Sequence, residues 1–459
     1  MFAPKIYSDR RRHLKQQIGS GVVLFLGNDQ TPRNFPANPY SFVQDASFLY
    51  YWGVDLPGLA AVMDIENDRE ILFGNDFTVD DIVWMGPQTS LKEWSQRCGA
   101  KDACPEDQLK PFLEKAQAKK QSVHYLPPYR PENLLKIEHL TGIPHSQVNV
   151  QASKSLIHAV VEQRLIKSGE EVAELEQSLE ITKEMYSLAM ELTEPGKFEY
   201  EVIGRVEGMV LARGSRPAHS FILTTRGERL HAGGHTNQMK AGDLVVMDVG
   251  VESPRKYTSD VTRTFPVSKG FTPLQKEIYQ IVLKANDAAI EMAAPGISFR
   301  DIHVHAASVI TEGLQQMGIM KGNLQDSVSR GAHALFFPHG LGHPLGLEIH
   351  DLESLGEEHV GYNREIRRSS QFGLSHLRFA RPLAQGMVMT IEPGIYFIPD
   401  LIRAWQSAGK FQEYIHFDKL ESFLGFGGIR IEDDILVTPA GSRSLSRDIP
   451  KTLSELERE

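Results

Sequence analysis

Apolar residues in the first 125 positions fall into short runs closed off by Gly, Asn, Asp or Pro. VVLFL (22–26), SFLYYWGV (47–54), LAAVMDI (59–65), EILF (70–73) and SVHYL (122–126) read as strands of a buried sheet. KPFLEKAQAKK (110–120) has helical spacing, and together these runs predict a small α/β domain. The Pro-rich stretch PPYRPENLL after Leu126 predicts a linker or domain edge over 130–165. From Ser168 the period changes. Ser168 and Glu171 form a capping box, and Val172, Leu175, Leu179 and Tyr186 follow at helical spacing until Pro195-Gly196. A second helix is predicted over 199–213, a third from Thr272-Pro273 with Gln275 closing its box, and a fourth from Ser298 with Asp301. FILTT (221–225), DLVVMDVG (243–250), TRTFPV (262–267), MVMTIEPGIYF (387–397) and IRIEDDILVT (429–438) read as strands. Helix pairs thus alternate with strand groups twice, in 168–270 and 272–438. That predicts two similar halves packed around a shared site, although no residue-level repeat stands out. The Glu- and Arg-rich segment 352–383 reads as an inserted loop.

Bulk properties narrow the class. A chain of 459 residues predicts two domains, divided here as 1–165 and 166–459. The 41% apolar and 24% charged fractions are those of a soluble globular protein. A net charge of −10 without a basic tract argues against nucleic acid or an anionic membrane as the main partner. Only Cys98 and Cys104 stand against 17 histidines, which fits a reducing compartment and rules out a cysteine-based zinc site. The apolar run 21–26 is too short for a signal core or a membrane span, so a cytoplasmic protein is expected.

The chemistry is carried by residues that conflict with their surroundings. Asp248 ends an apolar strand and Asp260 follows across a turn, so a hairpin would bring both carboxylates to one end of a sheet. Glu392 and Glu432 also lie in apolar runs, where an unpaired carboxylate costs several kcal/mol to bury. Each acid taken singly could pair with a base such as Arg263 or Arg430. For all four together, bound cations are the simpler account. In HGLGHPLG, two glycines and two flanking prolines disfavour a helix, so His339 and His343 are expected to have different tasks, with His350 nearby. His303 and His305 fall on different faces of a predicted helix and read as structural, and His124, His145, His158 and His376 are given no catalytic role. Oxygen donors with one imidazole favour Mn²⁺, Co²⁺ or Fe²⁺, while Zn²⁺ remains compatible. Two such cations about 3.5–4 Å apart suit hydrolysis of an amide or ester. No Gly-rich phosphate loop, GxSxG or HExxH points to another chemistry.

The phrases VVMDVG, YTSDVTRTF, HGLGHPLG, TIEPGIY and GIRIEDD, with QDASFLYYWGVDLPG and VWMGP upstream, closely resemble the pita-bread metallopeptidases that cut Xaa-Pro bonds, aminopeptidase P and prolidase. The resemblance spans essentially the whole chain. It implies an α/β (α+β) fold: a small N-terminal α/β domain and a C-terminal pita-bread domain with pseudo-two-fold halves. Its Asp–Asp interval is twelve residues, one more than the usual eleven, with the extra residue assigned to the SPRKY turn. The resemblance implies that Asp248 chelates one metal, Asp260 and Glu432 bridge both, and His343 and Glu392 complete the second. Glu392 is also the implied general base, His231, His339 and His350 face substrate, and Arg430 supports Glu432 and proton movement. It further implies short proline-containing peptides as substrates and a homodimer or homotetramer.

Within that family, aminopeptidase P releases the first residue of longer peptides and prolidase accepts dipeptides. GLSHLRFAR resembles a prolidase stretch in which an arginine binds the free proline carboxylate, and Arg378 is the matching residue. A local ion pair with Glu353 or Glu357 is the competing role for that arginine. Xaa-Pro aminopeptidase is the reading adopted, with prolidase as the alternative. A non-catalytic pita-bread binding protein is a distant third, since such proteins lose metal ligands first and all five are present.

Overall fold

A computed structural model describes residues 1–457, which divide into two units: 1–164 with 352–360, and 165–351 with 361–457. In the first unit, five strands form a mixed sheet: β1 (Val22–Leu26), β2 (Ala60–Asp64), β3 (Arg69–Gly74), β4 (Asp102–Pro105) and β5 (Val123–Tyr125), in the order β4-β3-β2-β1-β5. β1 pairs antiparallel with β2 and parallel with β5, so its near-continuous apolar run is buried on both faces. The helix Pro4–Ile18 carries Arg11 inward, where its guanidinium meets Glu70 at 2.9 Å and the Tyr51 and Cys98 carbonyls at 2.7 and 3.0 Å.

One expectation fails here. SFLYYWGV is a helix, Ala46–Trp52, rather than a strand. Asp45 accepts the Phe48 N–H at 2.8 Å to start it, and Gly53 at φ 67° ends it. Almost every residue of this helix is buried, so it has no polar face to betray a 3.6 period. The stretch 130–165 is three helices, Pro131–Thr141, His145–Gln151 and Lys154–Leu165, and the first unit's main segment ends within it at Arg164, as a domain edge rather than a linker. Within the segment expected as an inserted loop, 352–360 packs with the first unit as short helical turns and the remainder is mostly irregular.

The second unit is built twice over. The helices Gly169–Leu192 and Glu199–Ala212 precede an antiparallel sheet of β6 (Ile222–Thr224), β7 (Leu244–Val249) and β8 (Val261–Pro266). The helices Pro273–Met292 and Phe299–Gln316 precede β9 (Val388–Ile391), β10 (Gly394–Tyr396), β11 (Gly428–Arg430), β12 (Asp433–Thr438) and β13 (Gly441–Ser444). β12 lies between β13 and β9, and β10 pairs with β11. The three expected capping boxes or caps at Ser168, Thr272 and Ser298 are present. Between the helices of each pair the backbone repeats: Gly196 and Gly296 take positive φ, 96° and 86°, and donate N–H bonds of 2.8 Å to Met239 and Leu383. Phe198 and Ser298 then make matching bridges to Gln238 and Pro382. The correspondence missed in the side chains is therefore written in the turn. The Tyr186 hydroxyl, fully buried, lies 2.8 Å from both the Met247 and Val261 carbonyls and holds the β7–β8 hairpin onto its helix.

Candidate metal centre

Asp248 and Asp260 stand at the loop end of the β7–β8 hairpin, with Asp248 opposite Thr262. The Glu432 N–H donates to the Thr262 carbonyl at 3.0 Å, and Thr262 Oγ1 donates to Glu432 Oε2 at 2.7 Å. This one bridge brings the second half's acid to the first half's pair. Glu432, Asp433 and Asp434 follow strand alternation and have three separate environments. Glu432 faces the site. Asp433 points the other way, paired with Arg263 and Lys451 at 2.8 Å each. Asp434 Oδ2 accepts the Asp260 N–H at 3.1 Å.

His343 and Glu392 come from segments laid side by side. The Thr390 N–H donates to the His343 carbonyl at 2.9 Å, and Glu392 N–H to Leu341 at 2.7 Å. A Cβ at Gly342 would stand 2.0 Å from the Thr390 carbonyl oxygen, so the approach requires glycine. His343 Nδ1 lies 3.1 Å from the Pro344 carbonyl, which makes it the protonated nitrogen. Nε2 then faces Asp260 at 3.5 Å and Glu392 at 3.8 Å.

Arg430 closes one wall. Its guanidinium donates to Asp248 at 2.6 Å, Thr262 Oγ1 at 3.1 Å and the Tyr396 hydroxyl at 3.1 Å. Tyr396 lies 2.9 Å from His339 Nε2, and His339 Nδ1 lies 2.8 Å from the Gly340 carbonyl. His339 Nδ1 also stands 3.7 Å from Glu392. The His350 ring packs edge-on to His343 at 4.4 Å. His231 is exposed, yet close enough for its charge to act on Asp248 and His339. Arg378 is half-buried, and its charge acts on His343. Asp248, Asp260, His339, His343, His350, Glu392, Arg430 and Glu432 thus lie in one cluster, reached by the charges of His231 and Arg378. Tyr396, Thr262 and His219 are added to them. Only proximity in the fold reveals those three, because none is a charge in an apolar run.

The electrostatics call for cations. Burial, then the Asp248 charge, pushes Asp260 up to about 7, and burial raises Glu392 to about 7 against the pull of His343. Burial and repulsion from Asp260, Glu392 and Asp248 raise Glu432 well above the usual range. Asp248 alone is held low, because Arg430 and His219 outweigh its burial. Burial lowers His343 and takes His339 to about 3, leaving neutral imidazoles. Two donor groups share Asp260: His219, Asp248 and Asp260, and Asp260, His343 and Glu432, with donor atoms inside 4.8 Å in each. Buried, mutually repelling oxygen donors with imidazole nitrogens turned inward fit two divalent ions sharing a ligand.

Comparison with known proteins agrees. Residues 173–439 match the model for metallopeptidase family M24, and residues 7–125 match the aminopeptidase P N-terminal domain. The human Xaa-Pro dipeptidase is 31% identical, over 97% of this chain and 90% of its own length. The Xaa-Pro aminopeptidase of Escherichia coli K12 is 30% identical, over 98% and 96%. Among solved structures, Pseudomonas aeruginosa aminopeptidase PepP superposes with a TM-score of 0.82 at 28% identity, covering 99% of this chain and 97% of that one. Zinc-substituted E. coli aminopeptidase P in complex with product gives 0.81 at 26% identity, covering 99% and 98%. With the family model spanning more than half of its length and both domains accounted for, the chain belongs to the pita-bread Xaa-Pro peptidases of metallopeptidase family M24, and is an enzyme of the hydrolase class.

Proposed function

We propose that this protein is an Xaa-Pro aminopeptidase that uses two divalent cations, manganese foremost, to release the residue preceding proline from short peptides. The observation that carries this is the convergence of Asp248, Asp260, His343, Glu392 and Glu432 from both halves onto one buried cluster sharing Asp260. Asp248 and Asp260 would hold one cation, with His343, Glu392 and Glu432 around the other and Asp260 and Glu432 common to both. When bound, the cations supply Lewis acidity toward the scissile carbonyl and toward a water. Glu392, partly open to the pocket, accepts that water's proton and returns it to the departing proline nitrogen. His350 stabilises the tetrahedral oxyanion, while His231 and His339 orient the peptide. Arg430 fixes Asp248 and, through Tyr396, the neutral tautomer of His339. A tertiary Xaa-Pro amide has no N–H to donate, so the site must recognise it by shape and by the polarised carbonyl.

Prolidase activity is the second reading. It is supported by Arg378, whose charge reaches His343 and whose guanidinium fork would suit a dipeptide's carboxylate, and by the likeness to the human dipeptidase. Manganese-loaded protein assayed on Gly-Pro and Gly-Pro-Pro separates the two. We expect cleavage of the tripeptide, abolished in Glu392→Ala; cleavage of the dipeptide alone would transfer the assignment to prolidase. We further propose a cytoplasmic homodimer or homotetramer. The free cysteines 98 and 104 support a reducing compartment, and no helix among the described residues is long and apolar enough to cross a membrane. The helix Val79–Met85 supports self-association, since Val79, Val83 and Trp84 are 77%, 73% and 87% exposed.

A further inference from the structure

His219 lies outside the five-residue signature, yet it is wired like a ligand. It precedes β6 on a segment tied to the hairpin by the Pro217–Val251 bridge and by the Ala218 N–H donating to Gly250 at 2.9 Å. Its Nδ1 stands 3.0 Å from the carbonyl of the next residue, Ser220, as His343 Nδ1 stands 3.1 Å from the carbonyl of Pro344. In both rings this makes Nδ1 the donor and leaves the Nε2 lone pair aimed inward. His219 Nε2 is buried and has no hydrogen-bond partner. It lies 3.7 Å from Asp248 Oδ1 and 3.8 Å from Asp260 Oδ1. Those separations are too long for direct hydrogen bonds. They are the spacing of ligands on one cation with bonds of about 2.1 Å. Phe221, edge-on at 6.2 Å, flanks the ring.

We infer that His219 is a sixth protein ligand, completing with Asp248 and Asp260 the cation position opposite the one served by His343. The inference rests on the two-cation reading above. Each position then has one imidazole, so the two should differ less in affinity than an all-oxygen site and a His-containing one. The ring volume is kept and the nitrogen removed in His219→Phe. Chelator-stripped full-length protein, titrated with Mn²⁺ alone by calorimetry, should show two binding events, one of them weakened at least about tenfold in His219→Phe. The metal-free melting temperature of the variant should match that of the native chain. Pulsed EPR supplies a readout that does not need that variant to fold. One equivalent of Mn²⁺ in His343→Ala should still show imidazole ¹⁴N coupling, now attributable to His219. Unchanged calorimetry in His219→Phe, or no nitrogen coupling in His343→Ala, would overturn the inference while leaving the two-cation reading intact. Failure of the native chain to bind Mn²⁺ would overturn both.

Discussion

Tyr396 illustrates what a single uncharged residue contributes at this site. Its hydroxyl receives Arg430 and reaches His339 Nε2, so it passes the order imposed by a buried guanidinium to an imidazole beside Glu392. Burial raises this phenol to about 12, and it stays a donor throughout the working pH range. Tyr396→Phe removes the hydroxyl at little change in volume. A hydrogen bond to a charged group contributes about 1.5–3 kcal/mol, so kcat should fall about 10–100-fold. Metal content and KM should change little, and a loss of bound Mn²⁺ instead would mean that Tyr396 supports the ligands rather than His339. The acids were legible in the sequence because each is a charge in or beside an apolar strand, a conflict that demands a partner. Tyr396 and His219 create no such conflict. A tyrosine suits a strand and a histidine suits a loop, so only proximity exposes them.

At the scale of elements, the loop between the helix Phe299–Gln316 and β9 that carries His343 and His350 depends on close contacts rather than on regular structure. Gly342 admits the Thr390 carbonyl, and a Cβ at Gly346 would stand 2.5 Å from Asp351 Oδ2. Asp351 donates its N–H to Pro344 and pairs with Lys167 at 3.0 Å, with side chains 2% and 1% exposed. Breaking one partner of so buried a pair leaves an uncompensated charge, at a cost of about 3–5 kcal/mol. Lys167→Met should therefore lower the melting temperature markedly, and pairing it with Asp351→Leu should restore part of the loss. Equal melting temperatures for Lys167→Met and the native chain would contradict the role given to this pair. Helices that begin with an explicit cap, at Ser168, Thr272 and Ser298, could be read from local chemistry. The buried helix Ala46–Trp52 could not, because tertiary burial erased the polar half of its pattern.

Across the whole molecule, two histidines outside the site tie stability to pH. Burial holds His303 down to about 3 and His333 to about 4, and the His303 ring stacks on Phe337 at 5.2 Å. Unfolded imidazoles titrate near 6.5, so below that pH the unfolded chain takes up protons that the folded chain refuses. The stabilisation is complete above about pH 6.5 and is lost as the pH falls, by roughly 2 kcal/mol for each histidine between pH 7 and pH 5. The gap in melting temperature between those two pH values should narrow in His303→Phe. A gap of unchanged width would show that this histidine is not among the acid-sensitive groups.

The turns at Gly196 and Gly296 mark two copies of one architectural unit, but the ligands were not duplicated with it. The first copy holds His219 with a pair of aspartates, and the second holds His343 with the two glutamates. Either copy alone would be an incomplete chelator. The reactive centre is thus a property of the joined chain, born at the seam, and each half has been free to specialise its side of it.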